Sequence, residues 1–183
     1  MNKPPYIQSV ARPQSQLGFT LIELMVTVAV AIIMLAVAVP GFNDIMRSNK
    51  LTTNVNTFVQ ALHLARSEAV KSGGATLCAS NNATSCSGAD WTKGWIVFSD
   101  FNLNGVLDAG ETIVRVSEAM PAGSTLPTVS TTTVTYAGTG FLNPAGLNLT
   151  FIFCGGRTGT GAGRSVTINP TGRPTTTNYN SCT

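Results

Sequence analysis

Apolar residues fall into three regimes along this chain. Positions 19–39 are almost continuously apolar, 21 residues whose single ionisable group is Glu23. A run of that length spans a hydrocarbon core of roughly 30 Å as a helix. Beyond Pro40 and Gly41 the pattern loosens to Phe42, Ile45, Met46, Val55, Phe58, Val59, Leu62, Ala65 and Ala69. Those spacings of three and four predict an amphipathic helix packed on something else, and Gly73-Gly74 is expected to end it. Read as one helix over 19–72, its 54 residues would reach roughly 80 Å. From residue 75 the period shortens to two, in runs broken by Gly, Pro, Asn and Ser. Strands are expected at 75–79, 94–99, 112–116, 134–136, 147–154 and 164–169, with the threonine-rich 131–135 fitting the same preference. The prediction is an α+β chain, with a long N-terminal helix against an antiparallel sheet or two-sheet head.

The remaining composition bears on where such a chain works. Charged residues make up 10% of its 183 positions, hydrophobic ones 43%, and the mean hydropathy is +0.21. An ordinary soluble domain carries roughly 25% charge, so these values lean toward a protein that leaves the cytoplasm. Lys3 and Arg12 precede the apolar run and would hold residues 1–18 on the cytoplasmic side while the rest crosses. A secretory signal peptide would use Ala36-Val37-Ala38 as its cleavage site. Against that, the apolar stretch is long and has a carboxylate near its start. A charge at the centre of a membrane segment costs roughly 2.5–3.5 kcal/mol, so Glu23 is a functional candidate on physical grounds.

Candidate chemistry elsewhere is sparse. The formal net charge of +3 names no nucleic-acid partner by itself. The lone histidine, His63, reads as an ordinary helix residue, and Trp91 and Trp95 as core packing. Cys78, Cys86, Cys154 and Cys182 suit an oxidising compartment; they admit three connectivities, of which Cys78–Cys86 and Cys154–Cys182 are favoured. No pair has the C-x₂₋₄-C spacing of a zinc site. Asp100, Asn102, Asn104, Val106, Asp108 and Glu111, with Gly105 at the sixth position, match the ligand pattern of an EF-hand calcium loop. The flanks read as strands instead of helices, so a hairpin loop rich in turn-forming residues is the competing reading. Calcium is the one metal the pattern admits, and no cofactor is required. From residue 119 onward there is no acid, while Arg157, Arg164 and Arg173 stand among glycines and could contact DNA phosphates weakly. Neither a phosphate-binding P-loop nor a Gly-x-Ser-x-Gly elbow is present. Nothing points to an enzyme or a small-molecule substrate.

Gly18-Phe19-Thr20-Leu21-Ile22-Glu23 resembles the prepilin processing site of type IV pilins and type II secretion pseudopilins. The resemblance implies cleavage by prepilin peptidase between Gly18 and Phe19, N-methylation of Phe19, and pairing of Glu23 with the N-terminal amine of a neighbouring subunit. Pro40 falls where pilins commonly carry a proline. Ala65-Arg66-Ser67-Glu68-Ala69-Val70, then a cysteine strand, Gly94-Trp95-Ile96-Val97-Phe98, the Asp/Asn loop and a late Gly-Arg resemble the GspH/FimT (FimU) type of minor pilin. FimT proteins have DNA-binding arginines in a C-terminal Gly-Arg-x-Arg; here Gly172-Arg173-Pro174-Thr175 has threonine for the second arginine. The domains implied are a cleaved cytoplasmic leader at 1–18, a transmembrane or filament-core helix at 19–40, an amphipathic helix at 41–72 and an extracytoplasmic head at 73–183. The function implied is that of a minor pilin in pilus priming and assembly. Its partners would be other minor and major pilins. It would sit in the inner membrane as a single span, head in the periplasm, before entering a pilus. An H-type pseudopilin and a DNA-binding pilin for natural transformation are the alternatives.

Overall fold

A computed structural model describes residues 18–156 and 162–182. The chain divides into two units, one ending at Phe42 and the other starting at Asn43. Helix α1 (Leu21–Ser72) begins in the first and ends in the second. In the first unit its apolar side chains are exposed, among them Leu21, Leu24, Ile33 and Val37, and the segment is long and apolar enough to cross a membrane.

In the second unit α1 buries one stripe, Leu51, Val55, Phe58, Leu62, Ala65 and Ala69, three or four residues apart as an amphipathic helix requires. The stripe begins later than periodicity alone predicts. Phe42, Ile45 and Met46 share the spacing but remain exposed, because a pattern records which residues could pack and not which have a partner. Gly73, at φ 93°, ends the helix in the left-handed region that glycine alone enters without strain. Gly74, expected to be part of that stop, is already strand.

The strands are β1 (Gly74–Ala79), β2 (Trp95–Ser99), β3 (Ile113–Ser117), β4 (Thr125–Val129), β5 (Thr133–Ala137), β6 (Leu142–Asn143), β7 (Leu149–Cys154), β8 (Gly163–Ile168) and β9 (Pro174–Tyr179). They form two antiparallel sheets, ordered β3-β2-β1-β5-β6 and β4-β7-β8-β9. Three strands were not expected: β4, β6 and β9. Each is the outer strand of its sheet. β4 contains Pro127 and β9 opens on Pro174, residues that read as breakers in sequence but are tolerated where no ladder partner needs their missing N–H.

The helix stripe meets the inner faces of both sheets. Leu77, Trp95, Val97 and Val134 from one, and Phe151, Phe153, Val166 and Ile168 from the other, join it in one core. Phe58 lies at its centre. Trp91 and Trp95 approach its ring edge-on with centroids 5.5 Å away, and Phe151 and Phe153 tilt against it at 4.9 and 5.2 Å. Such aromatic pairs add about 0.5–1.5 kcal/mol each to simple burial. Both tryptophans are core residues, Trp91 fully buried and Trp95 2% exposed.

The outer face of the first sheet carries a smaller cluster of Cys78, Ile96 and Phe98, covered by Cys86, Leu107 and Ile113. Cys78 is bonded to Cys86, and Cys154 to Cys182. The first bridge ties the 80–90 loop over that face; the second ties the C-terminal segment to β7, where Ile152, Ala162 and Tyr179 pack around it.

Candidate functional sites

The start of α1 is built around Thr20. Its Oγ1 accepts the backbone N–H of Glu23 at 3.3 Å, and its carbonyl accepts that of Leu24 at 3.2 Å. Thr20 is thus the helix cap, and Thr-x-x-Glu has the spacing of a capping box. Glu23 sits in the first turn, where the exposed N–H groups favour a negative charge. Its side chain is exposed, as is Phe19. A Cβ placed on Gly18 would meet open space, and the bond between Gly18 and Phe19 lies just before the capped helix. The cap has a sequence signal, the threonine three residues before the acid, that the reading of Glu23 as a membrane-buried charge overlooked.

The 100–111 loop joins β2 to β3 and is a hairpin connection, with no helix on either side. Asp100 is fully buried. Its Oδ2 accepts the Thr76 hydroxyl at 2.6 Å and the Gly105 N–H at 2.9 Å; its Oδ1 accepts the Asn104 N–H at 3.2 Å. Thr76 in turn shares a 2.7 Å hydrogen bond with Thr135. Glu111 closes the loop, accepting the N–H groups of Phe101 and Asp108, both at 2.9 Å. Asp108 accepts the side-chain amides of Asn102 and Asn104 at 2.9 and 2.8 Å, which lower its pKa below the ordinary 3.8. All three carboxylates are therefore engaged by protein donors. Among the described residues no group of three or more His, Cys, Asp or Glu side chains is arranged to hold a metal. The loop passes so close to β1 that a Cβ on Gly74 would collide with the Asp100 carbonyl and the Leu103 side chain. Thr76 and Thr135, the loop's supports on β1 and β5, were not foreseen: nothing in sequence ties a threonine on one strand to an aspartate 24 residues later.

Of the three candidate arginines, the two described ones stand apart. Arg164 lies in β8 opposite Asn178, and its Nη1 reaches the Gly163 carbonyl at 3.0 Å. Arg173 is exposed and ends the turn into β9, its backbone N–H held by Asn169 Oδ1 at 2.9 Å. The two stand at opposite ends of the β8–β9 hairpin, five ladder positions or about 17 Å apart at strand rise. Arg157 lies outside the described residues. His63 is exposed on α1.

A family model for the type II transport protein GspH matches residues 54–172, well over half of the chain. The chain belongs to the GspH family. A model for the prokaryotic N-terminal methylation motif matches residues 13–39, across Gly18, Phe19 and Glu23. Two crystal structures of the Pseudomonas aeruginosa (strain PAO1) type IV minor pilin FimU are similar to it. One superposes with TM-score 0.55 at 25% identity, over 74% of this chain and 96% of FimU. The other gives 0.51 at 22% identity, over 73% and 100%. Prepilin peptidase-dependent protein D of Escherichia coli (strain K12) is 36% identical over 63 residues, or 34% of this chain. The chain spans less than half of that relative, 43% of its length. The fold, one long N-terminal helix against antiparallel sheets, is the α+β pilin fold of FimU. GspH-family pilins and pseudopilins are structural subunits and not enzymes.

Proposed function

We propose that this GspH-family chain is a minor pilin that enters a type IV pilus through its N-terminal helix and takes part in priming or assembling it. The observation that carries the reading is the start of α1. Within the segment that matches the methylation motif, a helix capped by Thr20 begins two residues after the Gly18–Phe19 bond and continues as an apolar stretch whose large side chains are exposed. In this reading prepilin peptidase cuts that bond on the cytoplasmic face and Phe19 is N-methylated. The apolar half holds the subunit in the inner membrane with its head in the periplasm until neighbouring helices cover it. The leader then occupies 1–18, the anchor 19–40, the spine 41–72 and the head 73–183.

Glu23 supplies the register. Once helices pack side by side the carboxylate leaves water, and an uncompensated charge there is costly. The new amine at Phe19 of an adjacent subunit is the group that would compensate it. The expected outcome for Glu23→Ala is a subunit that is inserted and cleaved at the wild-type level but is missing from sheared filaments. Incorporation of that variant at the wild-type level would remove the register argument. Pilus counts on a deletion strain test the role as a whole: pili should vanish and return on complementation. Retained pili with lost secretion would instead favour an H-type pseudopilin, the reading supported by the type II transport description of the matching family.

A further inference from the structure

Two turns of the head close on α1 with little side chain between them and the helix. A Cβ on Gly155 would stand 3.2 Å from that of Leu51, and one on Gly156, whose φ is +68°, would stand 3.1 Å from the Gly123 carbonyl. These glycines let backbone line a pocket of about 210 Å³ between the turns at 122–124 and 155–156 and the helix. The helix supplies Arg47 and Lys50 to it, three residues apart and so on one face. Ser124 lines it as well. Its Oγ accepts the side-chain amide of the buried Asn54 at 2.9 Å, which leaves its own O–H to donate. No described Asp or Glu is among the lining residues; Asp44 stands one turn before Arg47 on α1, outside the pocket. All the lining residues belong to the unit that starts at Asn43.

Two cations and a hydroxyl donor, set among bare backbone with no carboxylate, suit a small oxyanion and repel a metal ion. The neighbouring residues specify where that oxyanion comes from. Ile45 and Met46, immediately before Arg47, are 59% and 42% exposed, although their spacing marks them for cover. Arg47 follows the last residue of the apolar run, Val39, by eight positions, which keeps it within about 28 Å of that run even at full chain extension. Exposed apolar side chains beside cations, close in the chain to a membrane span, have the pattern of an interfacial segment: the apolar groups enter the acyl boundary while Lys and Arg meet lipid phosphates. We infer that this pocket binds the phosphate of an anionic phospholipid headgroup, held by Arg47 and Lys50 with Ser124 donating, while Ile45 and Met46 seat in the acyl boundary. This rests on the proposed role of 19–40 as a membrane anchor.

The test uses the full chain purified in detergent and native mass spectrometry of its complexes with phosphatidylglycerol, phosphatidylcholine or inorganic phosphate. Alkaline carbonate extraction of membranes from the expressing cells checks the anchor separately. One phosphatidylglycerol should be retained in preference to phosphatidylcholine, by a chain that carbonate does not release. Arg47→Gln and Lys50→Gln should each lower that retention by about fivefold. Both side chains are exposed, so neither substitution should move the melting temperature by more than a few degrees. Lys93→Gln removes the same charge from an exposed residue outside the pocket and should leave retention unchanged. Equal retention of the two lipids overturns the headgroup site, leaves the anchor standing and points to an acidic group of another protein. An equal loss in Lys93→Gln overturns the site too, since net charge alone would then explain the binding. Inorganic phosphate that displaces the lipid at matching concentration makes this a free-phosphate site and overturns the lipid assignment. Release of the chain by carbonate overturns the anchor, and the headgroup site with it.

Discussion

The loop at 100–111 and the groove beside β3 belong to the same hairpin, yet they treat their polar groups in opposite ways. In the loop each carboxylate is met by protein donors, and the most buried, Asp100, by three. In the groove beside β3, Trp95 Nε1–H and Ser117 Oγ–H are buried without an acceptor among the described residues. The difference separates two uses of polarity. A closed network holds a fold, because every member would be expensive to strand. An open pair is a cost that any acceptor reaching it, water included, relieves. The acid-rich loop, which attracts attention in sequence, is held by its own hydrogen bonds, while the pair beside β3 is not.

The sharpest way to break that contrast is to remove Asp100. Asp100→Ala strands the Gly105 N–H and leaves the Thr76 hydroxyl with Thr135 alone and the Asn104 N–H with Asn102 alone, and is expected to cost about 2–4 kcal/mol by thermal or urea unfolding. A loss below about 1 kcal/mol would mean the network is not what holds the hairpin. Next come the tryptophans. Trp91→Phe gives up a made hydrogen bond and some bulk, for about 1–3 kcal/mol, whereas Trp95→Phe trims only bulk and an unpaired donor and should cost less. The reverse order would show that Trp95 already has its acceptor. Glu111→Gln can satisfy only one of the two N–H groups that the carboxylate accepts, and should cost about 1 kcal/mol.

The smallest effects concern proton and metal. The pKa of Asp108 is lowered by the Asn102 and Asn104 amides, and that of Asp90 by its hydrogen bonds to Thr92. A carboxyl depressed in the folded state contributes stability that is complete above the unfolded pKa and fades as pH falls through the folded one. The gap in melting temperature between the parent chain and Asp108→Asn should therefore be steady at neutral pH and narrow below about pH 4. Millimolar calcium should leave the melting temperature unchanged if the loop's own hydrogen bonds are what hold it. A rise that Glu111→Gln abolishes would make the loop a calcium site.

How legible each part was follows from where its partners lie. Interior strands such as β1, β2 and β7 were readable because both of their faces are covered, and their apolar residues run together as the burial of all six residues of β1 shows. β4, β6 and β9 were not. An edge strand buries less, tolerates proline, and in β9 is written as Pro-Thr-Thr-Thr-Asn-Tyr, which looks like a loop until a neighbour pairs with it. Phe42, Ile45 and Met46 err the other way, having the right period with no cover.

Local order along the chain was enough for the long helix, its glycine stop, the capped and apolar N-terminal segment and the pilin-type processing motif. Each depends on residues within a turn or two of one another, or on simple hydropathy over the length of a membrane. Tertiary structure alone decided that Asp100 leans on Thr76, that Arg164 and Arg173 stand apart, and that of two buried tryptophans one N–H is answered by Thr131 and the other by no group among the described residues. Those outcomes depend on which strands become neighbours, and hydrogen bonds act over about 3 Å between residues that sequence separates by tens of positions.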